Sequence, residues 1–451
     1  MDDQCPNRAD GRNSQATWSV YNASMIDPAP RTARSAHAVL GVLFATLIGG
    51  FVRILPAWAS DFPLNDGGLF YLMSQEIQNA QYSLPWSTTY NAANIPFAYP
   101  PLGLYLVALL SDWTPWHLID LVRLMGPVVS TLTVPLVALV SYAFLGSTAQ
   151  MLVAASCYAL LPRGFEWLIM GGGVTRALGV AFALLTVYGA HALYTTRRNT
   201  HVPATAVFAG LTLLSHPEAA SFAALTVLLL AAWYGRTWPA LWQSVAVAAG
   251  ALLVAAPGWA TILLRYGSAP LVAALGSGWH SWLALVPLLS FVLSYESLLP
   301  VLSLLALLGL LVCLTGTRRF IAVWFVATLV LLPRSGPEYA MVPLALLAAL
   351  GLTEVVAPRL ATPRARTLVI GYVFVYALVS AWLLPVARSA ELHALSAHER
   401  QALDWAAANT PSASQFLVIT GAGTWDDATS EWFPVLARRV SLATVQGYEW
   451  L

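Results

Sequence analysis

From residue 36 to residue 386 the chain alternates long apolar runs with short polar or arginine-bearing stretches. Eleven runs predict membrane spans: 36–58, 125–145, 149–162, 174–195, 202–215, 217–234, 240–262, 298–316, 320–333, 338–357 and 366–386. A helix needs about 20 apolar residues to cross a bilayer upright, so several of these runs are short. Two further apolar stretches, 98–111 and 281–294, are flanked by Pro or Trp and read as interfacial or re-entrant chain. Residues 1–35 are polar and predict a disordered tail. The run behind them is too long and too late for a cleaved signal. The pattern predicts an all-α polytopic membrane bundle of about 11 transmembrane helices over 36–386.

The longest polar interval, 59–120, follows the first span. Inside it, "GGLFYLMSQEIQNA" has helical apolar spacing, with Asp66 just before it as an N-cap. The C-terminal segment 387–451 mixes patterns. Ser396 and Glu399 form a capping box for a helix over 397–408. "QFLVIT" then predicts a buried strand, "SEWFPVLARR" a short helix and "VSLATV" a second strand. Such a small α/β unit does not bury enough surface to stand alone. It either packs on the membrane domain or belongs to a chain that continues past Leu451.

Composition narrows the function. The chain is 58% hydrophobic and 10% charged, against about 25% charged in soluble domains. All 22 basic residues are arginine. Without lysine there is no P-loop and no Schiff base. No basic stripe points to nucleic acid. Cys5, Cys157 and Cys313 have neither disulfide nor metal spacing and read as packing residues. With the tail (Arg31, Arg34) in the cytoplasm, eleven spans put Arg197/Arg198, Arg236, Arg318/Arg319 and Arg359/Arg364/Arg366 inside, as the positive-inside rule requires. Counting 98–111 as a span would reverse every later loop. The reading is therefore a multi-pass inner-membrane protein with a cytoplasmic N-terminus and an extracytoplasmic C-terminus. The 59–120 loop and the 387–451 segment both lie outside.

Ionisable groups then gather on the outer side: Asp61, Asp66, Arg163, Glu166, Arg176, His216, Glu218, Arg334 and Glu338. Charges near lipid normally face protein or a wet cavity. Each has a plainer reading. Asp66 caps a helix, Glu166 is a solvated loop acid, and Arg163, Arg176 and Arg334 snorkel to the interface. His216-Pro217 breaks a helix. Trp86, Tyr90, Phe97 and Tyr99 anchor the interface. Gly171-Gly172-Gly173 either breaks a helix or admits a close backbone approach. The functional reading makes Asp66 a general base for an acceptor hydroxyl. Glu166 then pairs with it, orients the acceptor or holds a divalent cation. The arginines and His216 bind a donor phosphate, while Tyr99, Glu218 and Glu338 line the substrate.

A first span leads into a long outer loop with an early Asp and an amphipathic helix. "YPPLGLYLVALL" and a Pro-Arg-bearing second loop follow. This order resembles the GT-C glycosyltransferases: protein O-mannosyltransferases, the lipid A aminoarabinose transferase and the oligosaccharyltransferase catalytic subunit. The likeness covers 36–386 and is strongest over 53–111 and 163–180. The ending "EWFPVLARRVSLATVQGYEWL" is similar to prokaryotic members of this kind. The resemblance implies a polyprenyl-phosphate-linked sugar donor, a glycan, lipid or protein acceptor, and catalysis at the outer face of the cell-envelope membrane. Its first-loop catalytic Asp maps to Asp66, with Asp61 second, and its second-loop acid maps to Glu166. Metal-dependent members carry clearer acidic motifs than "RGFEW", which leaves a divalent cation open. Two competing readings are a transporter or flippase for a lipid-linked glycan and a membrane scaffold. The first calls for repeats and mid-span polar groups. The second leaves the outer acids and arginines without a role.

Overall fold

The computed structural model describes residues 31–276, 292–332, 334–421, 423 and 427–451. Most of the expected tail, with Cys5, falls outside them. So does most of the 281–294 stretch. Contacts divide the chain into a short N-terminal unit, Met1–Gly41, and the body, Val42–Leu451. The helix α1 (Arg31–Ala59) begins in the first unit and ends in the second.

The helices that follow are α2 (Gly68–Asn79), α3 (Leu102–Trp113), α4 (Leu118–Leu145), α5 (Thr148–Leu160), α6 (Gly173–Thr196), α7 (His201–Ser215) and α8 (Pro217–Tyr234). Then come α9 (Trp238–Val254), α10 (Ala256–Tyr266), α11 (Ala269–Gly276), α12 (Val301–Thr315) and α13 (Arg319–Leu331). The long α14 (Gly336–Arg359) and α15 (Pro363–Trp382) complete the apolar set. Among the described residues six helices are long and apolar enough to cross a membrane, or seven if α9 and α10, bent by 65°, make one span. The other predicted spans match shorter apolar helices, α5, α7, α12 and α13.

These helices turn apolar side chains outward as well as inward. Leu43, Phe44, Leu47 and Phe51 of α1 are all about half exposed or more, the surface a bilayer covers. By contrast every residue of Met341–Leu350 in α14 is buried. There α12 and α14 approach closely: a Cβ on Gly309 would sit 1.9 Å from the Leu347 carbonyl, and one on Gly351 1.9 Å from that of Leu305. Small residues at such crossings let backbones meet where lipid supplies no hydrophobic drive.

Two boundaries differ from the sequence pattern. The helix after the outer loop starts at Leu118, not 125, and Asp120 and Arg123 pair along its first turns at 2.9 Å. The 98–111 stretch forms a regular helix, α3, packed against α2.

The C-terminal segment contains α16 (Leu384–Ala387), α17 (Ala397–Asn409) and α18 (Ala428–Leu436). Ser396 and Glu399 form both halves of a capping box on α17. The expected strands shrink to β1 (Gln415–Phe416) and β2 (Val440–Ser441), a parallel pair in register Gln415↔Val440. Leu417 and Ile419 are 64% and 80% exposed, so "QFLVIT" is not a buried strand.

This segment packs on the first loop. Leu64 bridges Ala394, Asn65 N donates to His393 O at 2.7 Å, and Trp432 Nε1 donates to Asn65 O at 3.1 Å. The two regions are therefore in direct contact.

Candidate active site

The site starts from a loop crossing. At Asp66 the first loop meets "GGG" before α6, and a Cβ on Gly171 would fall 1.9 Å from the Asp66 carbonyl. Only glycine admits that approach. Gly67 has φ 121°, beside the same Gly171 backbone and Trp432. So the glycine run serves close approach, one of its two expected uses.

Asp66 does not cap its own helix. The N-cap of α2 is Gly67, without any side-chain bond. Instead Asp66 Oδ1 accepts from Gly172 N at 2.7 Å, at the N-terminus of α6, and Oδ2 accepts from Arg176 Nη2 at 2.8 Å. A carboxylate at a helix N-terminus is favoured by the dipole and by free N–H groups. The residue is 8% exposed. Arg176 also lies over the Trp167 ring, 5.0 Å from its centroid, and donates to Trp167 O at 3.4 Å.

Around this pair stand other expected residues. The Tyr99 hydroxyl is 3.4 Å from Thr175 Oγ1, and its ring packs on Phe70 at 4.9 Å, with Trp450 and His216 beyond. Burial pushes the Tyr99 hydroxyl up to about 12. His216 sits in the break between α7 and α8, buried, its Nδ1 without a partner among the described residues. Arg334 pairs with Glu218 at 2.7 Å. Glu218 is within electrostatic reach of Arg176, and His216 of Arg176 and Arg334.

A second cluster surrounds Glu166. It is fully buried, not a solvated loop acid. Arg388 Nε donates to its Oε1 at 2.8 Å, and Oε2 has no partner among the described residues. Burial raises its carboxyl above the ordinary range despite the guanidinium. Arg163 pairs with Glu338 at 3.0 Å. The Tyr295 ring lies 4.2 Å from the Arg163 guanidinium and 4.5 Å from that of Arg388. Trp167, next to Glu166, ties this cluster to Arg176.

Asp61 stands apart from both clusters. Its side chain is 69% exposed and takes two bonds from Arg400 of α17, at 3.1 and 2.5 Å. That hydrogen bond holds its carboxyl below the ordinary value.

Sequence reasoning missed Arg388, Tyr295, Glu431 and Arg53. Arg53 is fully buried in α1. It donates to Ala159 O at 2.5 Å and Tyr158 O at 3.2 Å and lies 4.4 Å from the Phe165 ring. It thus holds the carbonyl end of α5, where the Glu166 loop begins. A lone charge in "GGFVRILP" was its available signal.

Among the described residues no three His, Cys, Asp or Glu side chains gather as metal ligands. Both Asp66 oxygens and one Glu166 oxygen already accept N–H bonds. Arg176 and Arg388 supply the guanidinium groups paired with these two carboxylates.

No protein-family profile and no curated sequence matches the chain. Solved structures do. The archaeal oligosaccharyltransferase AglB from Archaeoglobus fulgidus, in complex with an inhibitory peptide and a dolichol-phosphate, aligns with TM-score 0.61 and 14% identity. The alignment covers 91% of this chain and 65% of AglB, so the chain spans about two thirds of that protein's length. ArnT from Cupriavidus metallidurans bound to undecaprenyl phosphate aligns at 0.55 and 13% identity, over 90% of this chain and 85% of ArnT. The arabinofuranosyltransferase AftD from Mycobacteria aligns at 0.53 and 16%, over 93% of this chain and 32% of AftD. The chain shares its fold with these three membrane transferases.

Proposed function

We propose that a chain of this fold is an integral-membrane glycosyltransferase. It moves a sugar from a polyprenyl-phosphate-linked donor to an acceptor hydroxyl at the outer face of the membrane. The observation that carries the reading is the buried Asp66–Arg176 pair, which sets an acid beside a guanidinium at the N-terminus of α6. The ligands of AglB and ArnT give the donor class its support.

In this reading the donor phosphate docks against Arg176 and Arg334, with His216 as a neutral hydrogen bonder. Docking draws Arg176 from carboxylate to phosphate and frees Asp66. The acceptor hydroxyl attacks the anomeric carbon opposite the phosphate while Asp66 takes its proton. The carbon–oxygen bond to phosphate breaks, its electron pair leaves with the polyprenyl phosphate, and the guanidinium groups steady the charge. Glu166, with Arg388 and Tyr295, orients the acceptor. Tyr99, Glu218 and Glu338 shape the walls, and Arg163 holds Glu338.

The same elements support a membrane orientation for this reading. Helix α6 begins beside Asp66 and ends at Thr196 before Arg197. At about 1.5 Å per residue its 24 residues separate those ends by roughly 36 Å, more than a ~30 Å hydrocarbon core. Arg197/Arg198 inside then puts Asp66 outside.

The donor reading is tested with undecaprenyl phosphate and purified protein. Arg176→Ala and Arg334→Ala should each weaken binding, by at most about 3 kcal/mol. Affinity unchanged in both variants would overturn the donor site.

A further inference from the structure

Arg53 lies inside the α1 span with no exposed surface. A charge at that depth is costly unless its bonds are satisfied. Its guanidinium reaches three helices. Nη1 donates to Gly49 O of α1 at 3.0 Å and to Ala159 O of α5 at 2.5 Å. Nη2 donates to Tyr158 O of α5 at 3.2 Å, and Nε to Ser130 Oγ of α4 at 3.2 Å. Gly49 makes the room: a Cβ there would lie 3.1 Å from the guanidinium.

The two α5 carbonyls explain why a guanidinium stands there. In a continuing helix Tyr158 O would accept from residue 162 and Ala159 O from residue 163. Residue 162 is proline and has no N–H to give. Leu161 leaves the helix with ψ 108°, and the chain runs on through 3-10 turns at Pro162–Gly164 and Glu166–Leu168. Gly164 N donates to Leu161 O and Phe165 N to Pro162 O, both at 3.1 Å, so these amides bond within the turn and not back to α5. Buried carbonyls left bare would cost free energy, and Arg53 covers them from another helix. Its positive charge also suits the C-terminal end of α5. The guanidinium lies 4.4 Å from the centroid of the Phe165 ring, which is fully buried and adjoins Glu166.

We infer that Arg53 is a positioning residue. It stands in for the N–H that Pro162 lacks, fixes where α5 ends, and so sets Glu166 beside Arg388 and Arg163 beside Glu338. This rests on the reading of Glu166 as the residue that orients the acceptor. Because α1 leads into the first loop, one side chain ties the helix before Asp66 to the helix before Glu166. An ammonium group could not replace it, since the planar fork meets four oxygens at once. The donor side is held elsewhere: Asp66 on Gly172 N, and Arg334 on Glu218. Loss of Arg53 therefore acts on the acceptor side and spares the donor side.

The test uses full-length protein in lipid nanodiscs: wild type, Arg53→Lys, Pro162→Ala and the double variant. Arg53→Lys should keep its affinity for undecaprenyl phosphate. Hydrogen exchange at 163–168 should rise about tenfold or more, with 66–72 unchanged. Sugar transfer should fall about 100-fold. Pro162→Ala restores an N–H opposite Tyr158 O, so it should raise the melting point more in Arg53→Lys than in wild type. It should not restore transfer, because an α5 that runs on by a residue carries Glu166 away from Arg388. A purely structural arginine would move stability and transfer together. Unchanged exchange at 163–168, loss of undecaprenyl phosphate affinity, additive melting shifts, or transfer that returns with the melting point overturns the inference. Full transfer in Glu166→Gln would instead remove the acceptor reading, and the exchange and melting results are read without it.

Discussion

Asp61 and Asp66 stand five residues apart in one loop, each bound to an arginine, and they do different work. Asp61 is mostly in water, and its partner Arg400 comes from the C-terminal helix α17. Asp66 is buried, and its partners Gly172 and Arg176 come from the start of the α6 span. The first pair docks one surface on another. The second fixes a charge against backbone N–H groups, where little water screens it. Two acids of one type in one loop are thus sorted by what the fold brings to each, and local sequence does not carry that information.

The sharpest way to break the contrast is Asp66→Asn. Asn keeps the size and accepts from Gly172 N, but takes no proton. Sugar transfer should fall by about 100- to 10,000-fold, with folding retained by circular dichroism and thermal melts. Near-normal turnover, with loss in Asp61→Asn instead, would swap the two roles.

Gly171→Ala comes next. Its Cβ meets the Asp66 carbonyl at 1.9 Å, and backbone cannot rotate away as a side chain would. Overpacking of this kind costs about 1–3 kcal/mol. Thermal melting should show that loss, and transfer should fall with it because Asp66 is displaced. An unchanged melting point would mean that the crossing is looser than described.

Asp61→Asn should do least. An exposed pair contributes about 0–1 kcal/mol, less in high salt. The sign with pH follows from the Arg400 hydrogen bond, which lowers the folded-state value. The contribution is present above the ordinary carboxylate range and lost as pH falls below about 4. Chemical denaturation of wild type and variant should differ little at neutral pH and converge in acid. A larger gap would make Asp61 more than a docking acid.

Much of this was legible in the residues. The apolar runs marked the helices, Ser396 and Glu399 marked the start of α17, and the glycine run marked a crossing. The first loop and the C-terminal segment touch through Leu64, Asn65 and Trp432. What was hidden shares one cause. Asp66 read as a cap for α2 because the local pattern allows it, yet its donors lie over 100 residues away. Arg388 binds Glu166 across 222 residues, and Glu431 faces α2 across 362. Periodicity reports a residue's own helix and is silent on such partners. Tyr295 lies between two guanidinium groups, and neither is its neighbour in sequence.

The bond from Trp432 to Asn65 spans 367 residues, and it sets a schedule. A ribosome adds about 5–20 residues per second, so the first loop waits roughly 20–70 s for the helix that clamps it. During that interval Asp66 and Tyr90 have already been made, but α18 has not. The acid acquires its full setting only when α18 arrives, so a nascent chain carries one side of this contact long before the other.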